Sequence, residues 1–264
     1  MRFDKEKQWI GAVYAEDLVL MAEMLAEDPS LANYCHEAFD DPYREGRFPV
    51  YTLSLAVSGP PQQQIDWRQV ERRTNFDMVK LLVEAGADPN IENVHGRPLC
   101  LCREERMARY LIDHGGDINR WHDNGGAPVY FAVWQIDPDR LKMQIRLGAD
   151  PGQINPHNGS SALHSAAEVR PGDEQVADHL ETIHILKEAG LDPNHRAGVG
   201  VQSDWGPVYQ GDAPLHMAAQ LNRPEVIEAL IAAGCSRSQA NVADETPREV
   251  ALRVGRGEDI VRLL

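Results

Sequence analysis

No stretch of about 18 consecutive apolar residues occurs in the 264-residue chain, so no segment has the length to cross a bilayer as a helix. The opening residues, "MRFDKEKQWIGAVY", lack the apolar core of a secretion signal, and a cytoplasmic location is the expectation. Cysteine is scarce. Cys35, Cys100, Cys102 and Cys235 are too few and too scattered for a disulfide framework. Cys100 and Cys102 form a C-x-C with no second pair at zinc-ligand spacing, so neither a metal nor another cofactor is expected. Also missing are H-E-x-x-H, G-x-S-x-G, G-x-x-x-x-G-K-[ST] and paired C-x-x-C, the local patterns that build common catalytic sites. Ten histidines do not replace them: His179 and His184 are five apart, a separation that does not put both on one helical face. The expectation is a protein that is not an enzyme.

Positive charge is short as well. Against 41 acidic side chains stand 26 basic ones, a net charge of −15. The deficit is uneven, with 4 basic and 11 acidic residues over 1–46, and 2 and 7 over 153–194. A field of this sign repels phosphate backbones, which argues against direct nucleic-acid binding, and it would steer a basic partner. Solubility alone is the plainer account of the same charge.

What the chain has in abundance is repetition. "LLVEAGADPN" at 81–90 reads as the end of a helix stopped by glycine and by Asp-Pro-Asn. It returns as "LIDHGGDIN", "IRLGADPG", "LKEAGLDPN" and "LIAAGCSRS", with the helix-ending glycines at 86, 115, 148, 190 and 234. A second phrase keeps step: "FPVY" at 48–51, "RPLC" at 97–100, "APVY" at 127–130, "SALH" at 161–164, "APLH" at 213–216 and "TPRE" at 246–249. Between the phrases lie two short apolar helices, as in "APLHMAAQL" and "EVIEALIAAG" on either side of Asn222-Arg223-Pro224.

The stretch "APLHMAAQLNRPEVIEALIAAG", with "SALHSAA" and "GADPN", resembles the ankyrin repeat, whose signature is T-P-L-H-x-A-A at a period of 33. Pro98, Pro128, Pro214 and Pro247 suit a first helical position, and small Ala166, Ala167, Ala218 and Ala219 let helices lie close. The resemblance implies an all-α solenoid of about seven helix–turn–helix units with short β-hairpin fingers, in one domain over 1–264. The units run approximately 8–36, 37–90, 91–119, 120–152, 153–194, 195–238 and 239–264, the first and last acting as caps. No single unit buries its own apolar face, whereas stacked units do. The resemblance also makes His164 and His216 structural, tying the turn to backbone, while Cys100 and Cys102 stand at motif positions as packed thiols.

Departures from the repeat are where a partner would be read. Extra segments fall at 57–75 with Trp67, at 169–178 with an acidic run, and at 195–211 with Trp205 and Tyr209. They are either binding loops or tolerated insertions. In the resembling family the residue after the motif His, and the one three further on, face a concave groove. That implies Thr52 and Leu55, Leu101 and Glu104, Phe131 and Trp134, Ser165 and Glu168, and Met217 and Gln220, with Trp121 close by. Phe131 and Trp134 with Leu101 and Met217 would form an apolar anchor between polar ends, unless inserted loops cover them as core. The function implied is protein binding: a monomer holding a partner with a basic contact surface, as an inhibitor or immunity protein neutralising a basic toxin or enzyme. The alternative is a general adaptor, or a host-directed effector, that recruits a partner.

Overall fold

In the computed structural model, residues 2–40, 47–58, 75–92, 97–121, 126–168, 176–198, 211–221 and 223–264 are described. The chain divides into two compact units, residues 1–128 and 129–264. The first contains helices α1 (Arg2–Tyr14) and α2 (Leu18–Glu27), a short 3-10 turn at Pro29–Asn33, and an antiparallel hairpin of β1 (Cys35–Asp40) and β2 (Arg47–Tyr51). Helices α3 (Thr52–Ser58), α4 (Phe76–Glu84), α5 (Pro98–Leu101) and α6 (Glu105–Asp113) follow. The described helices that follow are α7 (Pro128–Trp134), α8 (Pro138–Arg146), α9 (Ala162–Ala167), α10 (Val176–Glu188), α11 (Pro214–Ala219), α12 (Pro224–Ala232), α13 (Pro247–Arg253) and α14 (Glu258–Leu263), which make up the second unit. Among the described residues no helix is long and apolar enough to cross a membrane.

Helix pairs recur because start and stop signals recur. Pro98, Pro128, Pro214 and Pro247 each open a helix, where the missing N–H is one that no turn would use. Gly86, Gly115, Gly148, Gly190 and Gly234 end the second helices with φ between +82° and +103°, a left-handed backbone that a β-carbon would crowd. Gly86 donates to the Val83 carbonyl at 3.0 Å and Ala87 to Leu82 at 2.9 Å, the paired bonds of a Schellman stop. Gly234 and Cys235 repeat the pattern on Ile231 and Leu230, both at 3.0 Å. Ile136, at φ +50°, makes the same pair of bonds between α7 and α8 without glycine's freedom, at a steric cost of roughly 1 kcal/mol.

Each stop is followed by a side-chain-capped turn. Asp88, Asp117, Asp150 and Asp192 each accept, through Oδ1, the N–H two residues on, at 2.8–2.9 Å. These turns satisfy the amides locally. Among the described residues, strands form at β1–β2, with one isolated bridge between Ile154 and Ser161; parts of the other expected fingers, at 93–96, 122–125 and 199–210, lie outside the described residues. The sequence boundary of the first repeat also shifts, since α1 begins at Arg2 rather than near residue 8.

Asparagine then stitches neighbouring repeats. Asn33 donates from Nδ2 to the Gly86 carbonyl and accepts the Asp88 N–H on Oδ1, both at 2.8 Å. Asn90 does the same to Gly115 and Asp117, and Asn194 to Gly234 and Ser236. Beneath these braces lies the core. Trp9, Met21, Leu53, Leu82, Met107 and Leu111 are fully buried in the first unit, and Leu141, Leu163, Ile183, Leu186, Leu215 and Ile227 in the second. Ala166, Ala167, Ala218 and Ala219 are buried too, as close packing of α9 and α11 requires.

Candidate docking face

The row that precedes the groove positions fixes the first helices in place. His164 is 1% exposed; its Nδ1 accepts the Ser161 N–H at 3.1 Å, so Nε2 carries the proton and donates to the Asp212 carbonyl at 3.0 Å. His216 repeats this one repeat later, accepting from Ala213 at 3.1 Å and donating to Glu245 at 3.1 Å. Burial holds the His164 imidazole neutral, its pKa pushed down from 6.5 to about 4, and burial lowers that of His216 as well. Both histidines are thus structural ties rather than acid–base groups. At the same position in the preceding repeat stands Tyr130, whose hydroxyl donates to the Ser160 carbonyl at 2.5 Å and lies 3.2 Å from that of Gln153. Burial raises its pKa, so it stays a donor. Cys100 and Cys102 are fully buried, and Cys235, its pKa raised by burial to about 12, lies 3.2 Å from the Pro193 carbonyl.

One residue past this row, the predicted contact positions separate into exposed and buried sets. Trp134, at the end of α7, is 50% exposed, and Phe131 is half-buried with its ring centroid 6.0 Å away. The Arg140 guanidinium sits 5.6 Å from the Phe131 ring and pairs with Asp137 at 3.1 Å, while Asp137 also caps α8. Glu168 is exposed, and Ser165 and Gln220 are half-buried. Met217, at 7% exposure, is packed in the core of this unit, and Leu101 is equally buried in the first unit. Of the four apolar positions expected to form an anchor, only Trp134 and part of Phe131 are open to solvent. Glu104 is exposed and Trp121 half-buried, both in the first unit. Thr52 is buried and accepts the Trp9 indole N–H at 3.2 Å, and so belongs to the core. The side chain of Leu55, together with Trp67, Trp205 and Tyr209, lies outside the described residues.

The family model for the ankyrin repeat matches residues 70–94 and 210–242. Those segments contain the α4 stop and the whole α11–α12 pair. The chain contains ankyrin repeats. Relatives with similar sequence include a putative palmitoyltransferase of Danio rerio, 28% identical over 65% of this chain, and the ubiquitin-protein ligase KEG of Arabidopsis thaliana, 25% identical over 71%. The human B-cell lymphoma 3 protein is 26% identical over 92%. The chain spans 24%, 11% and 54% of those three proteins. Ankyrin repeats are protein-binding modules, and helix pairs of this kind recur in both units.

Two functional positions escape a motif reading. Tyr130 serves as the ankyrin histidine although it is not one; its place in step with His164 was the available signal. Asp212, 8% exposed, gathers the sixth repeat. Its carbonyl accepts from His164 and from the Ala197 N–H at 2.9 Å, and its carboxylate accepts from Asn241 at 2.8 Å and Gln220 at 3.3 Å. The base of the 195–211 insertion is closed by that Ala197 bond and by Gly211 donating to Ala197 at 2.9 Å. Gln220 is thereby held to the insertion's base, a link invisible in linear sequence.

Proposed function

We propose that this protein is a non-enzymatic binding module whose second unit docks a partner protein across the first-helix positions Phe131, Trp134, Ser165, Glu168 and Gln220. The observation that carries the reading is the half-exposed Trp134 indole beside a half-buried Phe131, on a row where Met217 is buried. A large aromatic left in water at the centre of polar neighbours suits an interface anchor. The net charge of −15 favours a partner with a basic contact surface and speeds their encounter. Similarity to a palmitoyltransferase and a ubiquitin ligase supports an adaptor role, because one repeat region shared by proteins of such different named activities is suited to holding partners rather than to either chemistry. The free protein is monomeric and makes no direct contact with nucleic acid in this reading.

Photo-crosslinking from position 134 identifies the partner, and its affinity is then measured for wild type and Trp134→Ala. A loss of about 2 kcal/mol or more with thermal stability kept supports the docking face. Unchanged affinity removes Trp134 from it. The charge also suits a neutralising inhibitor of a basic toxin or enzyme, and the partner's own activity separates the two: it falls on binding to an inhibitor and persists on an adaptor.

A further inference from the structure

Within the second unit, the braces between neighbouring repeats are unequal. Where the 153–194 repeat meets the 195–238 repeat, Asn194 donates to the Gly234 carbonyl at 3.2 Å and accepts the Ser236 N–H at 2.7 Å. Lys187 donates to the Ala232 carbonyl at 3.1 Å, and Cys235 approaches the Pro193 carbonyl. One junction earlier, the residue at the position of Asn194 is Gly152. It has no side chain to reach the Gly190 carbonyl or the Asp192 N–H, the two groups that correspond to Gly234 and Ser236. Ties remain on either side of the gap: Tyr130 to the Ser160 carbonyl, and Lys142 to Glu181 between the exposed flanks of α8 and α10. The second of these joins two long, solvated side chains and resists separation weakly.

We infer that the junction at Gly152 is the hinge of the second unit, the place where its repeats part first at the finger side while the Tyr130 link acts as the pivot. Local opening follows the fewest cooperative ties, and here a pair of amide-quality hydrogen bonds is missing from a series that has them at Asn33, Asn90 and Asn194. The hinge separates Trp134 from Ser165 and Glu168, so its opening changes the spacing of the positions assigned above to docking. The inference itself holds whether or not that face binds a partner, and its test involves none.

Hydrogen exchange on the full chain reads the two junctions directly. The Asp192 amide should exchange at least about tenfold faster than the Ser236 amide, after correction for intrinsic rates. Gly152→Asn should slow Asp192 by a similar factor and raise Tm. The backbone at 152 is outside the left-handed region, and the new β-carbon would meet only the Asp150 Oδ1 atom, at 3.1 Å. Asn194→Gly should conversely bring Ser236 up to the Asp192 rate. Equal protection of the two amides in the wild-type chain overturns the hinge, as does a Gly152→Asn protein in which Asp192 exchange is unchanged.

Discussion

In the second unit, the repeats are tied through a row of long polar side chains, Tyr130, His164 and His216, each delivering a donor to a carbonyl of the following repeat. In the first unit the same position holds Tyr51 and Cys100, the latter a buried thiol and a weaker donor than a hydroxyl or an imidazole. In that unit Asn33 and Asn90 brace the finger side, and Trp9 donates to Thr52 within the core. The contrast shows that a repeat position is defined by the group it must satisfy, not by the residue that satisfies it. Tyrosine replaces histidine because its hydroxyl reaches the equivalent carbonyl.

The largest effect expected from breaking this contrast is that of His216→Ala, which strands a buried Ala213 N–H and the Glu245 carbonyl and opens a cavity. A loss of about 3 kcal/mol in urea unfolding is expected, against about 1 kcal/mol for Cys100→Ala. Equal losses would show that the two units do not differ in this way. Acid gives a comparable effect through His164. Its folded pKa of about 4 lies below the unfolded 6.5, so the unfolded chain binds the extra proton first. Stability therefore falls as pH drops from 6.5 towards 4, by on the order of 3 kcal/mol from this group, and is constant in this respect above that window. A His164→Gln protein should show a flatter unfolding profile across that range; an identical slope would move the acid response to other groups.

Smaller effects sharpen the comparison. Tyr130→Phe removes only the hydroxyl and leaves the Ser160 carbonyl unpaired by it. It should lose about 1–2 kcal/mol in thermal or urea unfolding if tyrosine stands in for histidine. No loss would make Tyr130 a packing residue alone. Smallest of all is the stability effect of Trp134→Ala. With half its surface in water, the indole should contribute within about 0.5 kcal/mol of nothing to folding, measured by the same unfolding curves. A loss of several kcal/mol would place Trp134 in the core and remove the docking face with it.

Much of this was legible in linear sequence because the signals are local. A proline that loses no useful N–H, a glycine that alone enters the left-handed region without strain, and an aspartate that caps its own turn act within a few residues. They mark the same helix starts and stops in the chain as in the fold. Repeat spacing also locates the turns of the fingers, but it does not reveal whether their amides pair with a strand or with an aspartate. The groove positions were half legible. Periodicity puts Leu101, Phe131, Trp134 and Met217 on one row, but how far each is covered depends on what packs over it.

By itself, the sequence determined the helix pairs, their period, their stops and the acidic balance, since each follows from backbone sterics or from counting charges. Only the tertiary structure decided that Leu101 and Met217 are core while Trp134 meets water. It also decided that Tyr130 takes the histidine's part and that Asp212 gathers Gln220, Asn241 and His164. Those facts rest on hydrogen bonds and burial between residues tens of positions apart, and no local rule fixes a partner that the chain brings close only on folding.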